Sequence, residues 1–180
     1  MSCAQAVADG FDTILAAGGD GTVYQMVNGV MSAPDAAPPV LGVIPIGGGN
    51  DFARSLAIDA RPATISRILE SKKLQPVDVG LVRYEGKGGT QQRYFINVVD
   101  LGMGPHVVRN VTNSRRTFGP GVAYYGAIIK TFYQYRMMNV TAQSAGWQWQ
   151  GKLRSMALAI GKYYGHGLCV APDAILDAAS

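Results

Sequence analysis

Two short stretches of this 180-residue sequence have the residue types and spacing for phosphate chemistry: Gly18-Gly19-Asp20-Gly21-Thr22, and Gly47-Gly48-Gly49-Asn50 followed by Asp51. Each follows a short apolar run and precedes a helical pattern. Strand, glycine loop, helix is the geometry in which backbone N–H groups and a helix N-terminus meet an anion. Neither is a Walker loop, because no Gly-Lys-Ser/Thr follows, and neither has the Gly-x-Gly-x-x-Gly spacing of a dinucleotide fold. Asp20 has the wrong charge to face a phosphate alone. A divalent cation between them, or local N–H groups donated to its oxygens, removes the conflict, and a hard Mg²⁺ is commonly shared between one or two carboxylates and phosphate oxygens. The first loop therefore reads as a site for phosphate and metal together. The structural alternatives are glycines that only serve tight turns, and an Asp20 that caps the helix it opens.

The elements that must position these loops are legible as alternating helices and strands. Cys3 to Ala8 reads as the tail of a helix, Thr13 to Ala17 as a buried strand, and Val23 to Met31 as a helix with Val23, Met26, Val27 and Val30 on one face. Pro34, Pro38 and Pro39 break the chain before a second apolar strand at Val40 to Ile44, and helices follow from Asp51 to Leu56 and from Thr64 to Glu70. Short apolar strands separated by helices imply a parallel sheet covered by helices, with both glycine loops at the strand carboxyl ends. After Gln75 the pattern changes. Val77 to Tyr84 and Arg93 to Val99 flank a hairpin-like EGKGGT, and residues 139–164 read as further strands with turns at Ala145-Gly146 and Gln150-Gly151. Between them Tyr124 to Tyr135 reads as an aromatic-rich helix or long crossover, whose Tyr124, Tyr125, Phe132, Tyr133 and Tyr135 read as core rather than a ligand box. The expected organisation is an α/β domain over residues 1–75 and a mostly antiparallel, β-rich domain over residues 76–180.

Composition narrows the class. A hydrophobic fraction of 48% with 16% charged residues is that of a globular protein rather than a disordered one. The two cysteines, Cys3 and Cys169, are too few for a disulfide framework and lack zinc-site spacing, which favours a reducing, cytoplasmic compartment. No apolar run is long enough to span a bilayer, and no signal-peptide pattern opens the chain. The net charge of +4, with pairs at Lys72-Lys73 and Arg115-Arg116, suits solvated surface and also attraction to anionic membranes or nucleotide phosphates; no nucleic-acid-binding signature accompanies it.

With these residues in place, GGDGTVYQMVNGV resembles the glycine-rich signature of the diacylglycerol kinase catalytic domain, shared with sphingosine and ceramide kinases, and PIGGGNDFARSL resembles that family's second signature. VDVGLV, YFINVVDLGMG, FGPGVAYY and YYGHGLCVAPDAILD are similar, in order, to segments of its sheet-rich second domain. The resemblance implies a fold like that of NAD kinases and phosphofructokinases in the α/β part, and ATP-dependent transfer of the γ-phosphoryl group to the hydroxyl of diacylglycerol or a related lipid with Mg²⁺. It implies that Gly18, Gly19, Asp20, Gly21 and Thr22 line the ATP phosphates, with Asn28 on the helix behind them. Gly47, Gly48, Gly49, Asn50 and Asp51 would border the nucleotide. Asp78 would join Asp20 in a water and Mg²⁺ network, and the two would be the catalytic acids. It also implies a peripheral association with the membrane that holds the lipid.

This sequence departs from the family pattern at several points. Gly48 stands where a Thr is usual, and Ala178 and Ala179 occupy the Asp and Gly positions of a turn that can hold a structural Mg²⁺, leaving Asp177 as its candidate ligand. His166 replaces a usual glycine and reads as local packing or exposure, while His106 follows Pro105 without an evident partner. The family's opening Asn-Pro segment and its closing acid, the general base, are absent between Met1 and Ser180, so the expectation is a fragment of a lipid kinase or a shortened relative. Two alternatives stay open, an NAD kinase-like enzyme and a non-catalytic nucleotide-binding module. Unpaired strand edges in the second domain predict a homodimer or poor solubility.

Overall fold

A computed structural model describes residues 2–33, 37–104, 106–107 and 120–178, with backbone alone for 120–125. Pro34, Pro105, the Arg115-Arg116 pair, Ala179 and the side chains of Tyr124 and Tyr125 lie outside the described residues. The chain divides into two compact units, Met1–Val98 with Ala159–Ser180, and Val99–Leu158.

The first unit opens with helix α1 (Cys3–Ala8), capped by the Ser2 hydroxyl, which accepts the Gln5 N–H. Strand β1 (Thr13–Gly18) then pairs in parallel with β2 (Val40–Pro45), Thr13 opposite Val40 through Gly18 opposite Pro45. Between them runs α2 (Asp20–Met31), which begins three residues earlier than the apolar periodicity suggests and buries Val23, Met26, Val27 and Val30. Val23, Met26 and Val27 meet Ala16 of β1, Phe52, Ile96 and Leu176 in one core, with Ile14, Leu41 and Val43 packed at its margin. Burying a Val, Met or Phe side chain is worth about 1.5–3 kcal/mol each, so this stripe fixes α2 against the sheet. Two short helices follow, α3 (Asp51–Ser55) and α4 (Pro62–Ser71), the latter opened by a proline at its first position, where no N–H is needed.

Pairing turns antiparallel after Gln75. β3 (Gly80–Gly86) and β4 (Gly89–Phe95) form a hairpin closed by Lys87-Gly88, and the C-terminal stretch returns to the first unit as the short pair β9 (Tyr163–Tyr164) and β10 (Leu168–Cys169). This order of a parallel α/β part followed by antiparallel sheet is the expected fold class. The compact units follow a different line from the change of pairing, since the first unit takes in β3, β4 and the C-terminal stretch.

The second unit contains α5 (Pro120–Gln134) and a hairpin of β6 (Met138–Ser144) and β7 (Trp147–Leu153) turning at Ala145-Gly146, as read from the sequence. β5 (Val98–Gly102) pairs with β8 (Ser155–Ala159), each strand having one terminal residue in the first unit. Two expectations fail here. Gln150-Gly151 is no turn but lies inside β7, where Gly151 faces Val140; the strand continues because the Trp149 indole covers the glycine. Phe132 and Tyr133, the aromatic residues of α5 whose side chains are described, are not on its core face. Ala127 and Thr131, four apart, are buried, while Phe132 and Tyr133 are exposed, because small side chains allow the close approach on the inner side. His106 does have a neighbour: its ring meets that of Tyr135 edge-on at 5.0 Å.

Candidate functional site

The parallel register of β1 and β2 delivers both glycine loops to the same end of the sheet, and Ile46 N–H continues the pairing by donating to Gly18 O. The loops then meet backbone to backbone. A Cβ on Gly47 would lie 2.4 Å from Gly19 Cα and 2.8 Å from Gly19 N, so neither loop could hold its place with a side chain at Gly47. Asn50 keeps the second loop in shape from a left-handed backbone (φ 55°): its Oδ1 accepts Gly47 N–H, and its Nδ2 donates to the carbonyls of Pro45 and Gly47. Asn tolerates that conformation better than most residues.

Asp20 sits at the first position of α2, with Gly19 as its N-cap, so it does not cap the helix it opens. Its carboxylate instead caps α3. Oδ2 accepts the Asp51 N–H at 3.1 Å and Oδ1 the Phe52 N–H at 2.9 Å. The two possibilities for Asp20, metal neighbour and acceptor of N–H groups, are compatible in geometry, because each carboxylate oxygen retains a second lone pair. The N-terminus of the twelve-residue α2 adds a positive end at the loop, which favours anions there.

Asp51 is only 4% exposed, and its carboxylate accepts two backbone donors from a distant turn, His166 N–H at 3.0 Å and Gly167 N–H at 2.7 Å. Burial pushes its pKa up, and the nearby Asp20 charge pushes the same way. These outweigh the two N–H groups and the Arg54 guanidinium, which act downward. The turn that supplies the donors, Gly165-His166-Gly167, has three consecutive positive φ angles of 66°, 63° and 89°, which is what aims successive N–H groups at one carboxylate. A Cβ on Gly49 would lie 3.1 Å from Asp20 Oδ2 and 3.5 Å from His166 Nδ1, so glycine loop, both acids and histidine converge on one point. Sequence reasoning missed this link between Asp51 and the Gly165–Gly167 turn. The two glycines flanking His166 were its only signal.

Gly21, Thr22 and Gly48 are exposed at this end of the unit, while Gly18, Gly19, Gly47 and Gly49 are half-buried. Asn28 lies two turns along α2, away from the loop, and holds a strand. Its Oδ1 accepts Tyr94 N–H and its Nδ2 donates to Tyr94 O, so the amide pairs with β4 as a neighbouring strand would. Asp78 N–H donates to Leu176 O at 2.6 Å, which ties the start of the antiparallel part to the residue before Asp177. Among the described residues no three His, Cys, Asp or Glu side chains converge to hold a metal ion. Asp20 beside exposed glycine amides still fits a hard cation whose shell is completed by phosphate oxygens and water.

Residues 1–82 match the family model of the diacylglycerol kinase catalytic domain. Proteins named "Probable lipid kinase YegS-like" are similar along nearly the whole chain. That of Pseudomonas putida is 29% identical over 97% of this chain and 55% of its own length, and that of Pseudomonas fluorescens 30% identical over 96% and 53%. A diacylglycerol kinase structure from Bacillus anthracis str. Sterne shares the fold with a TM-score of 0.70 at 23% identity, covering 98% of this chain and 54% of that one. The chain thus spans about half the length of the curated relatives it matches. The resemblance to the diacylglycerol kinase catalytic domain family is borne out, by the family model over residues 1–82 and by the lipid kinase relatives over nearly all of the chain.

Proposed function

We propose that this chain is the nucleotide-handling part, with some of the lipid-handling part, of an ATP-dependent lipid kinase that phosphorylates the hydroxyl of diacylglycerol or a similar lipid. The observation that carries the reading is the meeting of the two glycine loops at Gly19 and Gly47 with the Asp20 carboxylate beside them. In this reading the ATP phosphates lie against Gly18–Thr22 and Gly47–Asn50, and Asp51 holds the rear of the second loop. Asp20 and Asp78 would hold Mg²⁺, with Asp177 as a further candidate oxygen donor. The cation would supply charge neutralisation at the phosphates. The protein's own part is positioning, which phosphoryl transfer chiefly requires.

Among the described residues no helix is long and apolar enough to cross a membrane. A cytoplasmic protein that meets its lipid at the bilayer surface is the arrangement we propose. The test is calorimetric titration of the chain with ATP in the presence and absence of Mg²⁺, repeated with Asp20→Ala. We expect Mg²⁺-dependent binding that the variant loses. Equal binding by both proteins would remove Asp20 from the site, and binding by neither would reduce the glycine loops to structural turns.

A further inference from the structure

The second unit carries two features that the phosphate site does not use. The first is charge. Residues 99–158 contain seven Lys and Arg against one Asp, a net +6, whereas the other 120 residues contain nine Lys and Arg against eleven acids, a net −2. Lys130, Arg136 and Lys152 are exposed within that basic unit. The second feature is the β6–β7 hairpin, whose two faces are chemically opposite. Asn139, Thr141, Gln143, Gln148, Gln150 and Lys152 share one face by strand alternation and pairing. Met138, Val140, Ala142, Trp147, Trp149 and Leu153 share the other, half-buried toward the strand ends and open toward the tip. Trp147 is 54% and Trp149 37% exposed. They are the two tryptophans of the sequence, one residue apart on the same face. The Trp149 indole is seated over Gly151, where a Cβ would lie 2.6 Å from the ring, so its orientation is set before any partner arrives.

We infer that the apolar face of the β6–β7 hairpin, through Trp147 and Trp149, is the surface by which this chain docks onto an anionic lipid bilayer. The inference rests on the lipid kinase reading and assigns that function a docking element. Indole rings settle at the bilayer interface, where one part is apolar and the N–H stays hydrated. The unit that carries them has a net charge of +6, which attracts it to anionic headgroups. A second copy of the chain is the poorer occupant, because facing copies would bring two +6 units together.

Because Trp147 and Trp149 are the only tryptophans, intrinsic fluorescence reads this surface directly. The chain is titrated with vesicles of phosphatidylcholine alone, of phosphatidylcholine with phosphatidylglycerol, and of the same mixture carrying brominated acyl chains. We expect a blue shift with the anionic vesicles and quenching by the brominated ones. Vesicle sedimentation of Trp147→Ala/Trp149→Ala should show partitioning weaker by about tenfold or more. Vesicle binding without quenching overturns the inference, as does loss of binding in Ile129→Ala/Tyr133→Ala with Trp emission unchanged, which would move docking to α5. A blue-shifted emission that reddens on dilution without lipid means a second copy covers the face, and quenching by a single-stranded oligonucleotide instead of vesicles means a nucleic acid does; either overturns it. Mg²⁺-dependent ATP binding, measured by calorimetry on the same chain, separates the two readings. If ATP binding fails while vesicle quenching persists, the kinase reading falls and the docking face stands; ATP binding without quenching has the reverse meaning.

Discussion

Gly167 N–H donates to Asp51 Oδ1 at 2.7 Å, joining the turn between β9 and β10 to the first residue of α3 across 116 positions of sequence. Asp51 N–H donates in turn to Asp20, so three segments are tied in series: the first glycine loop, the second, and the C-terminal turn. Shifting any one of them moves the other two.

Asp51 gives this chain of contacts a pH dependence. Its folded-state pKa lies above the ordinary value of 3.8, because burial and the Asp20 charge disfavour its ionised form. The folded state therefore binds more protons than the unfolded state between those two values. The contribution of Asp51 to stability is full below its unfolded pKa and is lost as pH rises through the folded one. Asp51→Asn removes this titration while weakening the grip on His166 and Gly167, since one oxygen is replaced by a donor. Urea midpoints measured from about pH 3 to 7 should show the variant at its greatest disadvantage in acid, with the gap narrowing as pH rises. A gap that widens would contradict the assignment.

Gly47→Ala should disturb the site more than the same change at its neighbour Gly48. The new methyl at Gly47 meets the Gly19 backbone, which cannot rotate away, and overpacking of this kind costs about 1–3 kcal/mol. At Gly48 the nearest atom to a Cβ is His166 Cε1 at 3.6 Å, an ordinary contact. Gly48→Thr should therefore fold as the parent does and, if the loop holds phosphate, tighten Mg²⁺-dependent ATP binding through its added hydroxyl. Denaturant unfolding and calorimetry on both variants check the pair.

Asn28→Ala should act on stability and leave the loops alone. The change strands the N–H and C=O of Tyr94, and a partly buried unpaired polar group costs about 1–3 kcal/mol. A loss of about 2 kcal/mol in unfolding free energy with unchanged ATP affinity is the expected result. Unchanged stability with lost affinity would return Asn28 to the nucleotide.

Asp20→Asn separates the two duties of Asp20. The amide oxygen can still accept one N–H from the start of α3, so the variant should lose less stability than Asp20→Ala, by about 1 kcal/mol. Its neutral side chain should nevertheless weaken Mg²⁺-dependent binding as severely as alanine does. Restored binding in Asp20→Asn would mean that only the hydrogen bonds matter.

Much of the fold is written locally. The spacing of Val23, Met26, Val27 and Val30 specifies both the helix and its buried side, and the EGKGGT segment specifies a hairpin, because these signals need only neighbours in sequence. Where the local signal misleads, a contact has overridden it. Gly151 would end a strand by itself, but the Trp149 ring covers it. Phe132 and Tyr133 of α5 would fill a core by hydrophobicity alone, but Ala127 and Thr131 occupy the buried side.

The sequence by itself determined the glycine loops, the acidic residues beside them and the family they resemble, because loop chemistry depends on backbone freedom that glycine carries wherever it occurs. Only the tertiary structure decided what those acids hold. Asp20 caps a helix other than its own, Asp51 grips a turn more than a hundred residues away, and Asn28 pairs with a strand. Such partners are set by which segments the closed chain brings together, and no pattern within a single segment records that choice.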